Sequence, residues 1–232
     1  GDFSFATAGA PAAPVPPTTG HQRPIGHWRF SEWTGSLTGD ASGSGYTGGL
    51  VNGPAWETGV TDRALSFDGV NDYVTVAHAA PLDAYPITVA AWIRTTSTGL
   101  GGVINKYLPS SMNGYQIFMN GGNLCAWYFK DSSSFVWDGT SCTLATPGAN
   151  DGRWHHVAFV VDASGGRLYL DGTLKASRAW TGTPGPATTT TDLSFGRYPN
   201  IATPYWPGAL DELRLYGRSL SPGEIATEAG GI

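Results

Sequence analysis

Residues 207–225, PGALDELRLYGRSLSPGEI, carry the pattern that decides the fold. Along Leu210–Tyr216 the side chains alternate, so Leu213 and Leu215 share one face of a predicted strand. Asp211 shares that face by the same parity, which predicts an acid that points toward the core. A buried carboxylate costs several kcal/mol unless it is compensated. A bound cation would compensate it, and so would capping of nearby backbone N–H groups; this stretch alone leaves both alternatives open.

The composition favours short strands joined by turns. The chain has 232 residues, including 33 Gly and 16 Pro, and 13% of its residues are charged. Such a chain has few of the charged positions that amphipathic helices need on their solvent face. One short helical turn is predicted at the end of the deciding stretch, where Ser221 is a suitable N-cap and Pro222 a suitable first helical residue.

Strand signals recur along most of the chain. ITVAAWIR at 87–94 alternates, and WHHVAFVVD at 154–162 is apolar enough for a central strand buried on both faces. Two segments flank the Gly-Val-Asn turn at 69–71, and two more flank Asp171–Gly172, so we predict a hairpin at each turn. The number of short strands predicts an all-β fold, a two-sheet antiparallel sandwich.

The N-terminal segment differs from the rest. Residues 1–24 contain FSFATA, followed by the Pro/Ala/Thr-rich stretch APAAPVPPTTG. We expect a strand remnant of a preceding domain and an extended linker there. A mature N-terminus that folds back onto the main body is the alternative. Residues 25–232 are predicted to form one domain.

The net charge indicates which partners are not expected, and the cysteine content indicates the cellular compartment. The net charge is −5 and the sequence has no basic run, so nucleic acid is not an expected partner. No apolar stretch reaches membrane-spanning length, so membrane insertion is not expected. Cys125 and Cys142 are the only cysteines. We predict a disulfide between them on the two arms of a long hairpin, and hence an exported protein, with two buried free thiols as the alternative.

Seven segments stand in an order that resembles a known family. They are FDGVNDYV, ITVAAWIRT, INK with YQI, GRWHHVAFVVD, GGRLYLDG, LSFGR and GALDELRLYGRSLSPGEI. Together they resemble the laminin G-like, concanavalin A-like jelly-roll domains of bacterial secreted proteins, over roughly Ile25–Glu228. The resemblance implies a jelly-roll sandwich, a secreted or cell-surface location and neighbouring domains in a larger chain.

The resemblance also implies a structural calcium ion. GDASGSGYTGGL at 39–50 resembles the Asp-Ser-Gly-rich loop that follows the first strand in these domains. Carried over, Asp40 and Asp211 become the side-chain ligands of Ca²⁺, and backbone carbonyls near Gly45 complete the shell. The chain departs from the pattern at Ser44 and Tyr46, where relatives often carry Asn, so an Asn ligand is missing.

No catalytic constellation stands out. Glycoside hydrolases on related sandwiches need two carboxylates that flank the scissile bond. Asp211 and Glu212 are adjacent, so strand alternation places them on opposite faces and excludes them as a pair. The same argument separates His155 from His156 as ligands of one metal ion. We therefore predict that the chain is not an enzyme.

Aromatic residues in loops are the candidate ligand-binding residues. Trp137 lies in the Phe129–Gly139 hairpin, and the Tyr198–Gly208 loop contributes Tyr198, Tyr205 and Trp206. Flat rings beside amide groups suit sugars, whose C–H faces stack on aromatics. The alternative is that these rings cover a sheet face or a neighbouring module.

Two classes of function therefore remain. The first is a non-catalytic carbohydrate-binding module, with a structural calcium, in a secreted or cell-surface bacterial multidomain protein; its partner is a polysaccharide or another glycan. The second is a structural or adhesive protein-interaction domain without a glycan ligand. The fold hosts both, so only binding data separate them.

Overall fold

The computed structural model describes residues 23–199 and 204–231. In these ranges it confirms the predicted all-β fold, an antiparallel jelly roll of two sheets with one α-helix. The strand remnant and most of the linker predicted for residues 1–24 lie outside the described residues.

The strands are short, as the turn-rich sequence predicts. In chain order they are β1 Gly26–Trp28, β2 Leu37–Thr38, β3 Gly48–Val51, β4 Ala55–Thr58, β5 Arg63–Asp68, β6 Tyr73–Val76, β7 Ile87–Arg94, β8 Gly101–Leu108, β9 Asn113–Asn120, β10 Asn123–Asp131, β11 Ser134–Val136, β12 Leu144–Pro147, β13 His155–Asp162, β14 Gly165–Leu170, β15 Thr173–Arg178, β16 Leu193–Phe195 and β17 Pro207–Tyr216. The helix α1 spans Pro222–Gly230, and a 3₁₀ turn spans Ala80–Asp83.

Two sheets share these strands. Sheet I runs β15-β14-β13-β7-β17-β5-β4, with β1 also paired to β17. Sheet II runs β11-β10-β9-β8-β16-β6-β3-β2, with β12 also paired to β10. Their inward side chains form one hydrophobic core, to which Val89 and Phe159 of sheet I and Ile117 and Phe195 of sheet II belong.

The predicted central strand is confirmed in β13. Val157 and Val161 point into the core between the sheets. Ala158 and Val160 belong to a second apolar cluster, which also contains Ile225 of α1. Helix α1 therefore covers the outer side of sheet I, and this is why β13 is apolar on both faces.

The end of the chain folds as predicted, with a longer helix. Ser221 Oγ accepts a hydrogen bond from Glu224 N, and Glu224 Oε2 accepts one from Ser221 N, which forms a capping box. In the described part of the chain, no helix has both the length and the apolar character needed to cross a membrane.

One of the two predicted hairpins is wrong. Asp171–Gly172 does join paired strands, β14 and β15. The Gly-Val-Asn turn at 69–71 instead carries the chain from sheet I to sheet II, because β5 pairs with β4 and β17 whereas β6 pairs with β3 and β16. The Asp68 carboxylate accepts hydrogen bonds from Val70 N at 2.8 Å and Asn71 N at 3.2 Å, so the local turn forms without strand pairing.

Candidate functional site

The outward side of sheet II carries the features that suit a binding site. On β9, Ile117 belongs to the core, so its neighbours Gln116 and Phe118 lie on the opposite side of the sheet. On β10, Tyr128 belongs to the core, and Trp127 lies on the opposite side for the same reason. We call this side the outer face of sheet II.

Seven aromatic rings gather at one end of this face. Tyr107 and Trp127 have their ring centroids 6.1 Å apart, and Phe118 and Tyr198 have theirs 5.3 Å apart. Trp137 lies 5.5 Å from Phe129. The aromatic patch consists of Tyr107, Phe118, Trp127, Phe129, Phe135, Trp137 and Tyr198. Tyr107, Trp127, Trp137 and Tyr198 are half-buried, so they offer partial ring surfaces to solvent.

A row of polar residues crosses the face toward this patch. Five register partners follow one another from β6 to β10, namely Thr75, Ser194, Asn105, Gln116 and Trp127. Adjacent strands lie about 4.8 Å apart, so the row spans roughly 19 Å across the sheet. We call it the polar row. It ends on an indole, where hydroxyl and amide groups meet the aromatic patch.

Two members of the row have unpaired polar atoms. Both amide atoms of Gln116 and the Trp127 indole Nε1 are buried and have no hydrogen-bond partner of normal geometry among the described residues. Native proteins pair nearly all such atoms. The Tyr198 ring packs on Phe118, and the Tyr198 hydroxyl lies within hydrogen-bonding reach of the Gln116 amide. A ligand therefore reaches Gln116 only if the Tyr198 side chain moves.

The nearby phenols are neutral hydrogen-bonding groups. Burial raises the pKa of Tyr107, and the neighbouring Tyr198 raises it further. Burial also raises the pKa of Tyr198, although a hydrogen bond with the Gln116 amide opposes the rise. Both hydroxyls therefore keep their protons at neutral pH and can donate to a ligand.

The other end of the row opens into a polar cavity of about 290 Å³. It is lined by Tyr73, Thr75, Asn105, Thr191, Asp192, Ser194 and Arg197. The Arg197 guanidinium lies 4.8 Å from the centroid of the Tyr73 ring, and Tyr205 lies 6.2 Å from the same ring. Aromatic stacking, hydroxyls and one cation therefore meet in this cavity.

The structure places three of the four predicted ligand-binding residues at the outer face. Trp137 and Tyr198 belong to the aromatic patch, and Tyr205 borders the cavity; all three are half-buried. Trp206, the fourth, does not lie at the outer face, because its side chain is 0% exposed and belongs to the core, so its prediction as a ligand-binding residue is wrong. Trp206 N donates to Gly196 O at 2.9 Å, so the chain already follows sheet alternation there and turns the indole inward. Asn200 of the same loop lies outside the described residues.

Sequence reasoning missed Gln116 and Phe118. Their signal is the alternation in YQIFMN at 115–120, where positions 116 and 118 share a parity opposite to the core residues. Only the pairing of β9 with β8 and β10 shows that this parity coincides with Tyr107 and Trp127.

The disulfide prediction is confirmed. Cys125 and Cys142 are bonded, with their Cα atoms 5.1 Å apart. Cys125 lies in β10, and Cys142 lies in the loop that connects β11 with β12. The bond therefore anchors the segment that carries Trp137 to the outer face of sheet II.

Asp40, the first predicted calcium ligand, accepts hydrogen bonds from backbone N–H groups of its own loop and of β1. Its carboxylate accepts hydrogen bonds from His27 N at 2.9 Å, Ser42 N at 2.9 Å and Tyr46 N at 3.1 Å. Burial alone would raise the pKa of Asp40, but these bonds and the Ser42 hydroxyl outweigh it and lower the pKa. The carbonyl oxygen of Gly45 accepts from Thr47 N at 3.0 Å.

Asp211, the second predicted ligand, is fully buried. The predicted face is wrong: Asp211 is the register partner of Trp92, so it lies on the side of sheet I opposite to Leu213 and Leu215, which point into the core.

The Asp211 carboxylate accepts hydrogen bonds from Val60 N at 2.7 Å, Thr61 N at 3.4 Å and Glu212 N at 2.7 Å. Burial raises its pKa to about 7. These contacts are those of the capping alternative. They fit a shared calcium ion poorly, because the carboxylates of Asp40 and Asp211 already accept hydrogen bonds from backbone N–H groups.

Across the described ranges, no three His, Cys, Asp or Glu side chains are grouped to hold a metal ion. The calcium ion at Asp40, Gly45 and Asp211 therefore stays a prediction.

The expected separation of Asp211 and Glu212 on opposite faces is wrong. The strand β17 has a bulge between Asp211 and Arg214, and Glu212 adopts a φ of +47°. The bulge directs both carboxylates to Thr61, whose Oγ1 donates to Glu212 at 3.0 Å. Burial would raise the pKa of Glu212, but the His27 hydrogen bond and the Arg214 charge lower it to about 2. Glu212 is therefore a buried, ion-paired carboxylate.

Comparison with protein families identifies the class. A family model described as the concanavalin A-like lectin/glucanases superfamily, of the laminin G type, matches residues 68–226. The chain belongs to this superfamily. None of the curated protein sequences compared with the chain matches it.

Solved structures with low sequence identity share the fold. Domain 4 of AbnA, a GH43 extracellular arabinanase from Geobacillus stearothermophilus solved with arabinotriose, has a TM-score of 0.66 and 22% identity, covering 89% of this chain and 98% of that domain. The binding domain of Paraclostridial Mosquitocidal Protein 1 has a TM-score of 0.70 and 16% identity, covering 90% of this chain and 52% of that one. Trypanosoma rangeli sialidase, solved with sialic acid, has a TM-score of 0.66 and 16% identity, covering 88% and 32%. The chain thus spans about half of the second structure and a third of the third.

Proposed function

We propose that this chain is a non-catalytic carbohydrate-binding module that holds a glycan on the outer face of sheet II. The observation that carries the proposal is the polar row, which leads unpaired amide and indole groups into the aromatic patch. Sugar rings present C–H faces for stacking and hydroxyls for hydrogen bonds, so this combination matches them.

The ligand we propose is neutral or weakly polar. The polar row consists of hydroxyl, amide and indole groups, and none of its five members is ionisable at neutral pH. A partly exposed face of this kind binds weakly, with a dissociation constant in the micromolar to millimolar range, or about −4 to −8 kcal/mol.

The structures that share this fold support the proposal. One similar structure is a domain of an extracellular arabinanase solved with arabinotriose. The disulfide between Cys125 and Cys142 suits a secreted or cell-surface protein. We propose that the chain works as one module among neighbouring domains of a larger bacterial protein.

We keep the structural calcium ion as a separate part of the proposal. Asp40 and Asp211 would supply carboxylate oxygens, and Gly45 would supply a carbonyl oxygen, if the hydrogen bonds to their loops rearrange. A bound Ca²⁺ would neutralise buried negative charge and stabilise the folded state by mass action.

A protein-interaction domain is the second candidate. The aromatic patch is also the kind of surface that binds proteins, since aromatic residues are enriched in interface cores. The binding domain of a mosquitocidal protein and receptor-binding domains of botulinum neurotoxins share the fold.

A glycan array that includes soluble and insoluble polysaccharides, run with calcium and with EDTA, separates the candidates. We expect at least one neutral glycan to bind, and binding to fall when Trp127 is replaced by Ala. Trp33→Ala is the matched control, because Trp33 is exposed and stacks on Arg63 of sheet I, away from the outer face of sheet II. A blank array in both buffers would favour the protein-interaction domain.

A further inference from the structure

Lys106 occupies a core-facing position of β8, opposite Tyr115 of the hydrophobic core. Its side chain is 0% exposed, and the Asp83 side chain beside it is 8% exposed. The Nζ atom lies 3.0 Å from Asp83 Oδ1, yet that oxygen has no hydrogen bond of normal geometry among the described residues. An amine and a carboxyl group are thus held in contact inside the protein, away from the outer face of sheet II.

The surroundings hold the amine in place. Nζ lies 3.0 Å from the Thr191 carbonyl oxygen and 3.0 Å from His78 Nδ1. On the acid's side, the 3₁₀ turn is anchored by Tyr115, whose hydroxyl donates to Leu82 O at 2.9 Å. Both reacting groups are therefore fixed, which removes the entropy cost of bringing them together.

His78 contacts both partners of the pair. Its Nδ1 atom is 3.9 Å from Asp83 Oδ2 in addition to its contact with Lys106. The imidazole is 30% exposed, so it can exchange protons with solvent. A cavity of about 320 Å³, lined in part by His78, Asp83 and Thr189, adjoins the pair.

We propose that Lys106 and Asp83 condense into an intramolecular amide, with His78 as the group that transfers the protons. The cross-link would join the turn that precedes β7 of sheet I to β8 of sheet II. It rests on this cluster alone and is independent of the proposed glycan site.

The reaction needs no partner other than the two side chains. In the neutral pair, the Nζ lone pair attacks Cγ of the Asp83 carboxyl group and forms the C–N bond. His78 accepts the proton that Nζ loses and returns it to the carboxyl hydroxyl, which leaves as water through the adjoining cavity. An amine and a carboxylic acid become an amide and one water molecule, so atoms and electrons balance.

Burial shifts both groups toward the neutral forms that react. Burial raises the pKa of Asp83, although the Lys106 charge opposes the rise. Burial lowers the pKa of Lys106, although the Asp83 charge opposes the fall. A buried ion pair recovers its desolvation cost only with good hydrogen bonds, whereas the amide carries no charge to desolvate.

The mass of the intact protein tests the proposal directly. The purified protein is incubated folded at neutral pH, then denatured and reduced to open the disulfide. We expect a mass lower than the sequence mass by one water molecule. A protein at its full sequence mass overturns the proposal and leaves an ion pair.

Digestion locates the bond and excludes dehydration elsewhere. Trypsin does not cleave after an acylated lysine, so we expect a cross-linked species that joins residues 64–94 to an uncleaved 95–130. Lys106→Met and Asp83→Ala should restore the full mass, and His78→Gln should slow the mass loss. Glu57→Gln, which breaks the partly exposed ion pair with Arg94, is the control and should keep the mass deficit. A mass deficit that persists in Asp83→Ala overturns the proposal, since the water was then lost from another site. A mass deficit that forms at the normal rate in His78→Gln overturns the role of His78.

Discussion

Gln116 and Trp127 are register partners on β9 and β10, and both carry buried polar atoms without a hydrogen bond of normal geometry among the described residues. An unpaired buried amide costs free energy that a well-packed apolar side chain would not. Two such groups side by side, next to the aromatic patch and the Tyr198 hydroxyl, are the observation on which the proposed glycan site rests.

The first prediction concerns Gln116. Gln116→Leu keeps the side-chain volume and removes the unpaired amide, so we expect the free energy of unfolding to stay the same or to rise by about 1 kcal/mol. Glycan affinity should fall about tenfold, since the hydrogen bonds to the ligand are lost. Denaturant titration and calorimetry on the same samples measure the two effects.

The opposite pattern would contradict the assignment of Gln116 to the site. Lower stability with unchanged affinity would mean that the amide is paired inside the protein. Trp33→Ala, at an exposed ring that stacks on Arg63 of sheet I, should leave affinity unchanged and controls for general effects of surface mutation.

The second prediction separates two tryptophans that the sequence grouped together. Trp206 is 0% exposed, so Trp206→Ala should destabilise the protein by roughly 3–5 kcal/mol through the cavity it leaves. Trp137 is half-buried on the aromatic patch, so Trp137→Ala should weaken glycan binding and leave the fold intact. Thermal melts and affinity gels of both variants check this, and equal melting temperatures would contradict the burial of Trp206.

The sequence predicted the elements whose burial pattern is regular. The strand at 87–94, the doubly buried strand at 154–162 and the Ser221 cap follow from periodicity and capping rules that act locally. The direction of Trp206 depends on a backbone pairing with Gly196, which no local pattern shows. The relation between Asp211 and Glu212 depends on a bulge whose position only the register reveals.

The candidate site was harder to predict than the fold. Tyr198 and Trp137 are aromatic residues in predicted loops, so the sequence identifies them as candidates. Gln116 lies in a strand whose apolar sequence predicts a core position. The position of Gln116 beside Trp127 depends on which strands pair with β9, and the order of strands in a sheet is long-range information that no local pattern contains.

The third prediction concerns the disulfide. Thiol titration of the denatured, unreduced protein should find no free thiol, because Cys125 and Cys142 are bonded. Cys125→Ser with Cys142→Ser should cost about 3 kcal/mol in the chain-entropy account. Affinity for glycan should fall as well, since the segment with Trp137 loses its anchor. Two titratable thiols would contradict the bond, and an unchanged affinity would show that the anchor is not needed.

The fourth prediction decides between calcium and capping at Asp40 and Asp211. If the ion binds, excess Ca²⁺ should raise the melting temperature over EDTA, and Asp40→Asn should abolish the difference. If the two acids only cap backbone N–H groups, Asp40→Asn should lower the melting temperature equally in both buffers. Elemental analysis of the protein gives an independent readout, and no metal together with no calcium-dependent shift would rule out the ion.

The fifth prediction follows from the environments of two adjacent histidines. His156 is 1% exposed, with its Nε2 3.9 Å from a Glu228 oxygen, and burial together with the Arg214 charge lowers its pKa to about 4. Between that value and the unfolded pKa near 6.5, the unfolded chain binds a proton that the folded protein does not. The stabilising contribution of neutral His156 should therefore be fully present above pH 6.5. The free energy of unfolding should fall by roughly 2–4 kcal/mol as the pH drops toward 4.

The neighbouring histidine supplies a control of opposite sign. Burial would lower the pKa of His155, but hydrogen bonds from its ring to Asp171 and Asp151 raise it instead. The contribution of His155 to the free energy of unfolding is fully present below the pKa of the imidazole in the unfolded state. It is lost as the pH rises through the pKa of the imidazole in the folded state. His156→Phe should thus flatten the acid side of the stability profile measured by denaturant titration, whereas His155→Phe should leave that side in place and reduce stability below pH 6.5. An acid-side slope that survives in His156→Phe would assign the loss of stability to carboxylates rather than to this imidazole.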